Sequence, residues 1–128
     1  MSGMPPVLDR AQLDALGDDL GDVEFLRETV ELYLGELPTR RSAMLEAFEV
    51  SDRTAVRERA HSLGSASAML GAAELAAACR AIEHAAAGAQ PAELAALRTQ
   101  WTGACDRTAA ALRQWLAPNA SADQGSNR

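Results

Sequence analysis

The fold is decided by one stretch, Ser51 to Gly71, which reads SDRTAVRERAHSLGSASAMLG. Its apolar and small residues recur every three or four positions, and this spacing predicts a helix with one buried face. The residues on that face are Val56, Ala60, Leu63, Ser67 and Leu70. His61 is one residue off this stripe, about 100° around the helix axis, so we expect its imidazole to be exposed.

The residues that flank His61 on its own helix face are mostly small. Positions three or four residues apart are neighbours on a helix surface, and these neighbours are Arg57, Gly64, Ser65 and Ala68. A glycine inside a helix costs about 1 kcal/mol relative to alanine, and a solvated face usually carries longer polar residues. The pattern indicates a reactive group that another protein can approach closely. A surface histidine beside a helix kink is the alternative interpretation.

The segment from Ala60 to Ala72, AHSLGSASAMLGA, resembles the signature of histidine-containing phosphotransfer (HPt) domains. In that family the pattern reads Ala-His-Thr/Ser-Leu-Lys-Gly-Ser-Ser-Ala-x-Leu-Gly-Ala, and the histidine carries a phosphoryl group between receiver-domain aspartates. Gly64 stands where the family prefers Lys, Ser65 where it prefers Gly, and Ala66 where it prefers Ser. The resemblance implies that His61 is the phosphoacceptor of a bacterial two-component phosphorelay.

Composition narrows the class of protein. The 128 residues suffice for one domain, and 48% hydrophobic with 23% charged residues is ordinary for a folded soluble chain. The net charge of −6 argues against a nucleic-acid partner, which would need a basic patch. All twelve lysine and arginine positions are arginine. No apolar run approaches the roughly 18 residues of a membrane span, and the first residues lack a signal-peptide pattern. We therefore expect a cytoplasmic protein that does not bind membranes.

The cysteines and the second histidine offer no further chemistry. Cys79 and Cys105 are too widely separated for a metal-binding spacing, and the chain has only two histidines. Both cysteines fall near apolar stripes, so we expect buried free thiols. His84 points away from the stripe of its helix and is expected to be an ordinary exposed histidine. Neither a metal site nor a bound cofactor is predicted.

The whole chain has the pattern of an all-α protein. Four substantial amphipathic helices joined by short turns predict an antiparallel up-down four-helix bundle over residues 9–117, and HPt domains share this architecture. We expect residues 1–8 to be a flexible leader and residues 9–16 a short helix that caps one end of the bundle. Residues 118–128 have nothing to bury and are expected to be a disordered tail.

Several residues set the predicted helix boundaries. Pro38 lies inside the long helix that precedes Ser51, and the stripe continues in phase across it, which favours a kink over a break. Gly71 is expected to end the His61 helix. Pro118 is expected to stop the last helix, in which Trp101 is the large core anchor.

The resemblance also implies a mechanism. One imidazole nitrogen of His61 would attack a receiver's aspartyl phosphate, and the phosphohistidine would then pass the phosphoryl group to a second receiver. The protein would be a carrier rather than a kinase, and Mg²⁺ would come only from the receiver. The family Lys at the place of Gly64 supplies a cation near the phosphoryl group, and Arg57 is the best local substitute. The expected partners are receiver domains or a hybrid histidine kinase, with the protein itself a monomer.

Two other functions are compatible with the sequence. The first is a binding-only relative that docks receivers or a kinase without passing phosphate, which the missing Lys would suit. The second is the dimerisation helix pair of a histidine kinase. In those helices an acidic residue usually follows the histidine, whereas Ser62 follows His61 here.

Overall fold

The computed structural model describes the backbone of residues 3–126 and the side chains of residues 3–117. Within that part of the chain there are five helices and no strand. The helices are α1 (Arg10–Leu20), α2 (Val23–Glu49), α3 (Arg53–Met69), α4 (Ala73–Ala85) and α5 (Pro91–Ser126). Helices α2 to α5 form the bundle, and α1 packs against α2 and α3. The predicted all-α bundle is confirmed. None of the described helices is long and apolar enough to cross a membrane.

Three helices begin at aspartates whose side chains accept hydrogen bonds from free backbone N–H groups. Asp9 caps α1, Asp22 caps α2 and Asp52 caps α3. Such caps typically stabilise a helix by about 1 kcal/mol relative to alanine. Asp52 thus begins the helix that carries His61.

Helix α1 is longer than predicted. The sequence pattern predicts an end at Leu16, but the helix continues through Gly17 to Leu20 and ends before Gly21, which has a φ of 75°. Gly17 lies against α2 within this helix: a Cβ built on it would come 3.0 Å from Leu26 Cδ2. That glycine therefore serves close helix packing, and Gly21 alone provides the turn.

The leader, residues 1–8, contacts the bundle through its own C-terminal half. The carbonyl of Pro6 accepts a hydrogen bond of 2.9 Å from the backbone N–H of Glu74. Ala72, the N-cap of α4, has no side chain that could satisfy this N–H group. Pro6 is therefore in contact with the bundle. The flexibility expected of residues 1–8 stays a prediction, and residues 1–2 lie outside the described part.

Pro38 and Pro118 both lie inside helices. Helix α2 runs through Pro38 without a break, as the continuous stripe predicted. Helix α5 runs through Pro118 to Ser126, so the prediction that Pro118 stops it is wrong. A proline removes one intrahelical hydrogen bond, and each helix nevertheless continues past it. The disorder expected of residues 118–128 stays a prediction, because the structure describes only the backbone of this segment, up to Ser126.

The core follows the predicted helix faces. All five residues of the predicted buried stripe around His61 are at most 3% exposed. Trp101 on α5 is fully buried and is the largest such side chain. Cys79 and Cys105 are buried free thiols, which confirms that prediction. Gly71, at φ 80°, ends α3, and its carbonyl accepts a 2.7 Å hydrogen bond from the backbone N–H of Asp9 that holds α1 in place.

Candidate functional site

His61 lies on the outer side of α3. Its neighbour Ala60 is buried, and the one-residue offset places the imidazole at the surface with 69% of its side chain exposed. The exposure that the spacing predicted is therefore observed. His84, on α4, is also exposed.

Glu83 holds one side of the imidazole. Its Oε2 is 2.9 Å from Nδ1 of His61, and the Glu83 side chain is itself two-thirds covered. A carboxylate accepts hydrogen bonds, so this contact assigns the proton of the neutral ring to Nδ1. Nε2 is then the nitrogen with an available lone pair. The pair therefore fixes both the orientation of the ring and its reactive atom.

Glu83 is a site residue that the sequence did not reveal. A weak signal was available, because Glu83 follows the buried Ile82 just as His61 follows the buried Ala60. Each residue thus lies at the edge of its helix's core stripe. Whether two such edges meet depends on the relative register of α3 and α4, which spacing within one helix does not determine.

Helices α3 and α4 approach each other closely next to this pair. We call the contact of Gly64 with Ala76 and Cys79 the α3–α4 seam. A Cβ built on Gly64 would come 3.0 Å from the Cβ of Cys79, and Gly64 is buried. The expectation that Gly64 lies on the exposed face beside the imidazole is therefore wrong. A glycine one turn after His61 lets α4 come close, which a residue with a Cβ would hinder.

The seam is supported from behind by the core. The indole Nε1 of Trp101 donates a hydrogen bond of 3.3 Å to Sγ of Cys79. Burial raises the pKa of the Cys79 thiol to about 11 and that of Cys105 to about 12. Both thiols therefore stay protonated at neutral pH and behave as small apolar side chains.

A buried polar contact joins α2 to α3. The hydroxyls of Tyr33 and Ser67 share a hydrogen bond of 2.7 Å in the core. Burial raises the pKa of Tyr33 to about 12, and the bond to Ser67 opposes that shift. The contact explains why a serine can occupy the buried stripe of α3, since each hydroxyl satisfies the other.

The remaining predicted site residues lie at the surface around the imidazole. Arg57 is exposed and lines a cleft of about 340 Å³ together with Glu58, His61 and Glu83. Ser65 and Ala68 are exposed, and both are small. The structure thus brings Arg57 near His61 and leaves the face beyond His61 unobstructed, whereas Gly64 belongs to the interior.

These features define a helical bundle that presents one oriented histidine on an open face. The sequence matches the family model of the Hpt domain over residues 28–117. The chain belongs to the Hpt domain family. Members of this family are phosphotransfer carriers rather than kinases, and the match supports a histidine phosphotransfer protein of a phosphorelay.

The fold is similar to that of a solved member. The crystal structure of histidine-containing phosphotransfer protein B from Pseudomonas aeruginosa PAO1 superposes with a TM-score of 0.80. The two sequences are 22% identical, and the match covers 88% of this chain and 96% of that one. No curated protein matches the sequence.

Proposed function

We propose that the protein carries a phosphoryl group between the aspartates of two receiver domains, with Nε2 of His61 as the phosphorylated atom. The observation that carries this proposal is the 2.9 Å contact of Nδ1 with Glu83, which leaves Nε2 as the available nucleophile on an exposed ring. A neutral imidazole is a competent nucleophile for covalent catalysis.

The transfer step is a displacement at phosphorus. The Nε2 lone pair of His61 forms the new N–P bond while the bond from phosphorus to the aspartyl oxygen breaks, and the receiver's aspartate leaves as a carboxylate. The ring keeps its Nδ1 proton and gains positive charge. The reverse displacement by a second receiver's aspartate regenerates the neutral imidazole.

Glu83 stabilises this step through its charge. The carboxylate faces the nitrogen that retains the proton, so its attraction to the ring grows as the ring becomes cationic. It also reduces the rotational freedom of an otherwise exposed side chain. Glu83 is therefore proposed as the residue that orients and stabilises the phosphorylated histidine.

Positive charge near the phosphoryl oxygens is the other requirement of phosphoryl transfer. The family Lys is absent, and Arg57 is the basic residue in the cleft that His61 lines. We propose that Arg57 covers part of this role and that the docked receiver brings Mg²⁺. An exposed charge is worth about 0.2–1 kcal/mol, so Arg57→Ala should slow transfer only several-fold.

Transfer from phosphorylated receiver domains to variants of Glu83 tests the proposal. Glu83→Gln keeps a hydrogen-bond acceptor and loses the charge, so it should slow transfer modestly; Glu83→Ala loses both and should slow it roughly ten- to hundred-fold. Glu58→Gln is the matched control, because Glu58 lines the same cleft without a hydrogen bond to the ring. Equal rates for Glu83→Ala and Glu58→Gln would contradict the assigned role.

A binding-only function is the alternative, and one observation favours it. Gly64 replaces the cationic residue of the family signature, and a Cβ at this position would come 3.0 Å from the Cβ of Cys79, so the seam hinders a longer side chain. Under this alternative the protein binds receiver domains without accepting phosphate. Receivers that bind but never label His61 would establish it.

A further inference from the structure

A second cleft lies on the other flank of α3, towards α2. It has a volume of about 230 Å³, and its lining includes Thr39, Arg40, Met44, Arg59, Ser62 and Leu63. Met44 and Leu63 are buried and form an apolar floor, whereas Arg59 and Ser62 are exposed at the rim. Two guanidinium groups and two hydroxyls therefore surround one small apolar depression.

The arginines of this cleft are weakly engaged within the protein. Arg40 Nη1 donates to Oγ of Ser62 at 3.3 Å, and its nearest carboxylate, Glu36, is 3.9 Å away. Arginine has five N–H donors, so most of those on Arg40 lack a partner among the described residues. Arg59 forms no ion pair within the same part of the chain. The cleft is thus a concentration of available positive charge on a protein with a net charge of −6.

The cleft lies beside His61, where a docked partner protein would contact it. Ser62, which lines the cleft, directly follows His61, so the cleft borders the surface that a protein reaching Nε2 would contact. The guanidinium fork matches the planar geometry of a carboxylate. The apolar floor suits the methylene groups of an aspartate or glutamate side chain.

We propose that this cleft binds an acidic side chain of the receiver domain that docks over His61. The inference rests on the proposed function, since it concerns how the phosphotransfer partner is recognised. The contact would fix the orientation of the docked receiver from the α2 side, while the His61–Glu83 pair faces α4. The carboxylate comes from the partner protein, and the phosphoryl group stays on the His61 side of α3.

Transfer kinetics with a paired substitution test the cleft. The variant Arg40→Ala with Arg59→Ala is compared with wild type, using receiver domains encoded in the same genome as phosphodonors. The control carries Arg10→Ala with Arg113→Ala. It also loses two positive charges, but from α1 and α5 instead of from the cleft. A second assay labels His61 with phosphoramidate, a small donor that needs no docking surface.

The cleft variant should raise the KM for the receiver roughly three- to ten-fold, with kcat unchanged. Its kcat/KM should also depend less steeply on salt, because docking then uses fewer charges. The control should stay close to wild type in both respects. Phosphoramidate labelling should be equal in all three proteins.

An unchanged KM in the cleft variant, or an equal change in the control, would contradict the proposed role of the cleft in receiver binding. Either result would leave the proposed function intact. Slower phosphoramidate labelling of the cleft variant would also contradict that role of the cleft, since the arginines would then contact the phosphoryl group. If no receiver transfers phosphate, receiver binding is measured by calorimetry. If only the cleft variant fails to bind receivers, the cleft's role in receiver binding is supported although the proposed phosphotransfer fails. If no receiver binds any of the three proteins, both proposals are overturned.

Discussion

The α3–α4 seam and the core around Trp101 are packed in different ways. The seam joins two helices through Gly64, Ala76 and Cys79, all of them small. The core is filled by large side chains, with Trp101 fully enclosed. Because these residues are small, the backbones of α3 and α4 lie close enough for His61 and Glu83 to form a hydrogen bond. Large residues supply the buried area that stabilises the bundle. The comparison indicates that the seam sets the geometry of the site and the Trp101 region its stability.

The largest effect on stability is expected in the core. Trp101→Ala removes the largest buried side chain and should lower the free energy of unfolding by about 3–5 kcal/mol. Leu32→Ala is the control, because Leu32 is 64% exposed and surface changes usually stay within about 0.5 kcal/mol. Chemical denaturation measures both. Similar, small losses for the two variants would remove the distinction between this core and the rest of the molecule.

A side chain in the seam should disturb the site as well as the stability. In Gly64→Lys the new Cβ would meet Cys79 at 3.0 Å, and Trp101 stands behind Cys79. We expect a loss of about 1–3 kcal/mol from overpacking, and slower transfer because α3 and α4 must separate beneath the His61–Glu83 pair.

Gly35→Lys is the matched control for that substitution. Gly35 lies in α2, and a Cβ built on it would have no neighbour within 4 Å, so lysine there should stabilise the helix by roughly 0.5–1 kcal/mol. Denaturation midpoints and transfer rates compare the two variants. A stable Gly64→Lys protein with faster transfer would show that the site lacks a cation and that the seam is not tight.

The buried hydrogen bond between Tyr33 and Ser67 tests how α2 is joined to α3. Ser67→Ala leaves the Tyr33 hydroxyl buried without its 2.7 Å partner, which should cost about 1–3 kcal/mol. The double variant Ser67→Ala with Tyr33→Phe removes both polar groups and should recover most of that loss. A double-mutant cycle by denaturation measures the coupling. Additive losses would mean that the hydrogen bond contributes nothing.

Alkaline pH should weaken the same interior gradually. Burial raises the pKa of Cys79 from 9.0 to about 11, so between these values the unfolded chain releases a proton that the folded protein keeps. The stability contribution is therefore complete below pH 9 and is lost as the pH rises towards 11. The slope should be about 1 kcal/mol per pH unit. Cys79→Ala should remove this share of the slope, whereas Cys105 and Tyr33, whose pKa values burial raises to about 12, keep theirs. Denaturation across that pH range measures the difference. An unchanged profile in that variant would contradict the burial effect.

The sequence predicted those features that depend on helical phase. The helical period of about 3.6 residues fixes the angle between successive side chains. Both the burial of the α3 stripe and the exposure of His61 follow from it. The Trp101 core position was predicted for the same reason. Phase within one helix is a local property, so one sequence suffices to read it.

The features that the sequence did not predict depend on contacts between elements. Glu83 meets His61 only because of the register of α4 against α3, and Gly64 is buried only because α4 lies so close. Gly17 has the local character of a helix breaker, yet it lies inside α1, against Leu26. The carbonyl of Pro6 replaces a missing cap on α4. Each of these features depends on tertiary contacts, which the pattern within one helix does not determine.

Phosphorylation of His61 tests the central claim most directly. Wild-type protein, His61→Gln and His84→Gln are incubated with radiolabelled phosphorylated receiver domains, and the label that is acid-labile and base-stable is counted. We predict label on wild type and His84→Gln, none on His61→Gln, and the same helical circular dichroism for all three. Label that persists in folded His61→Gln, or a wild-type protein that no receiver labels, would contradict the account.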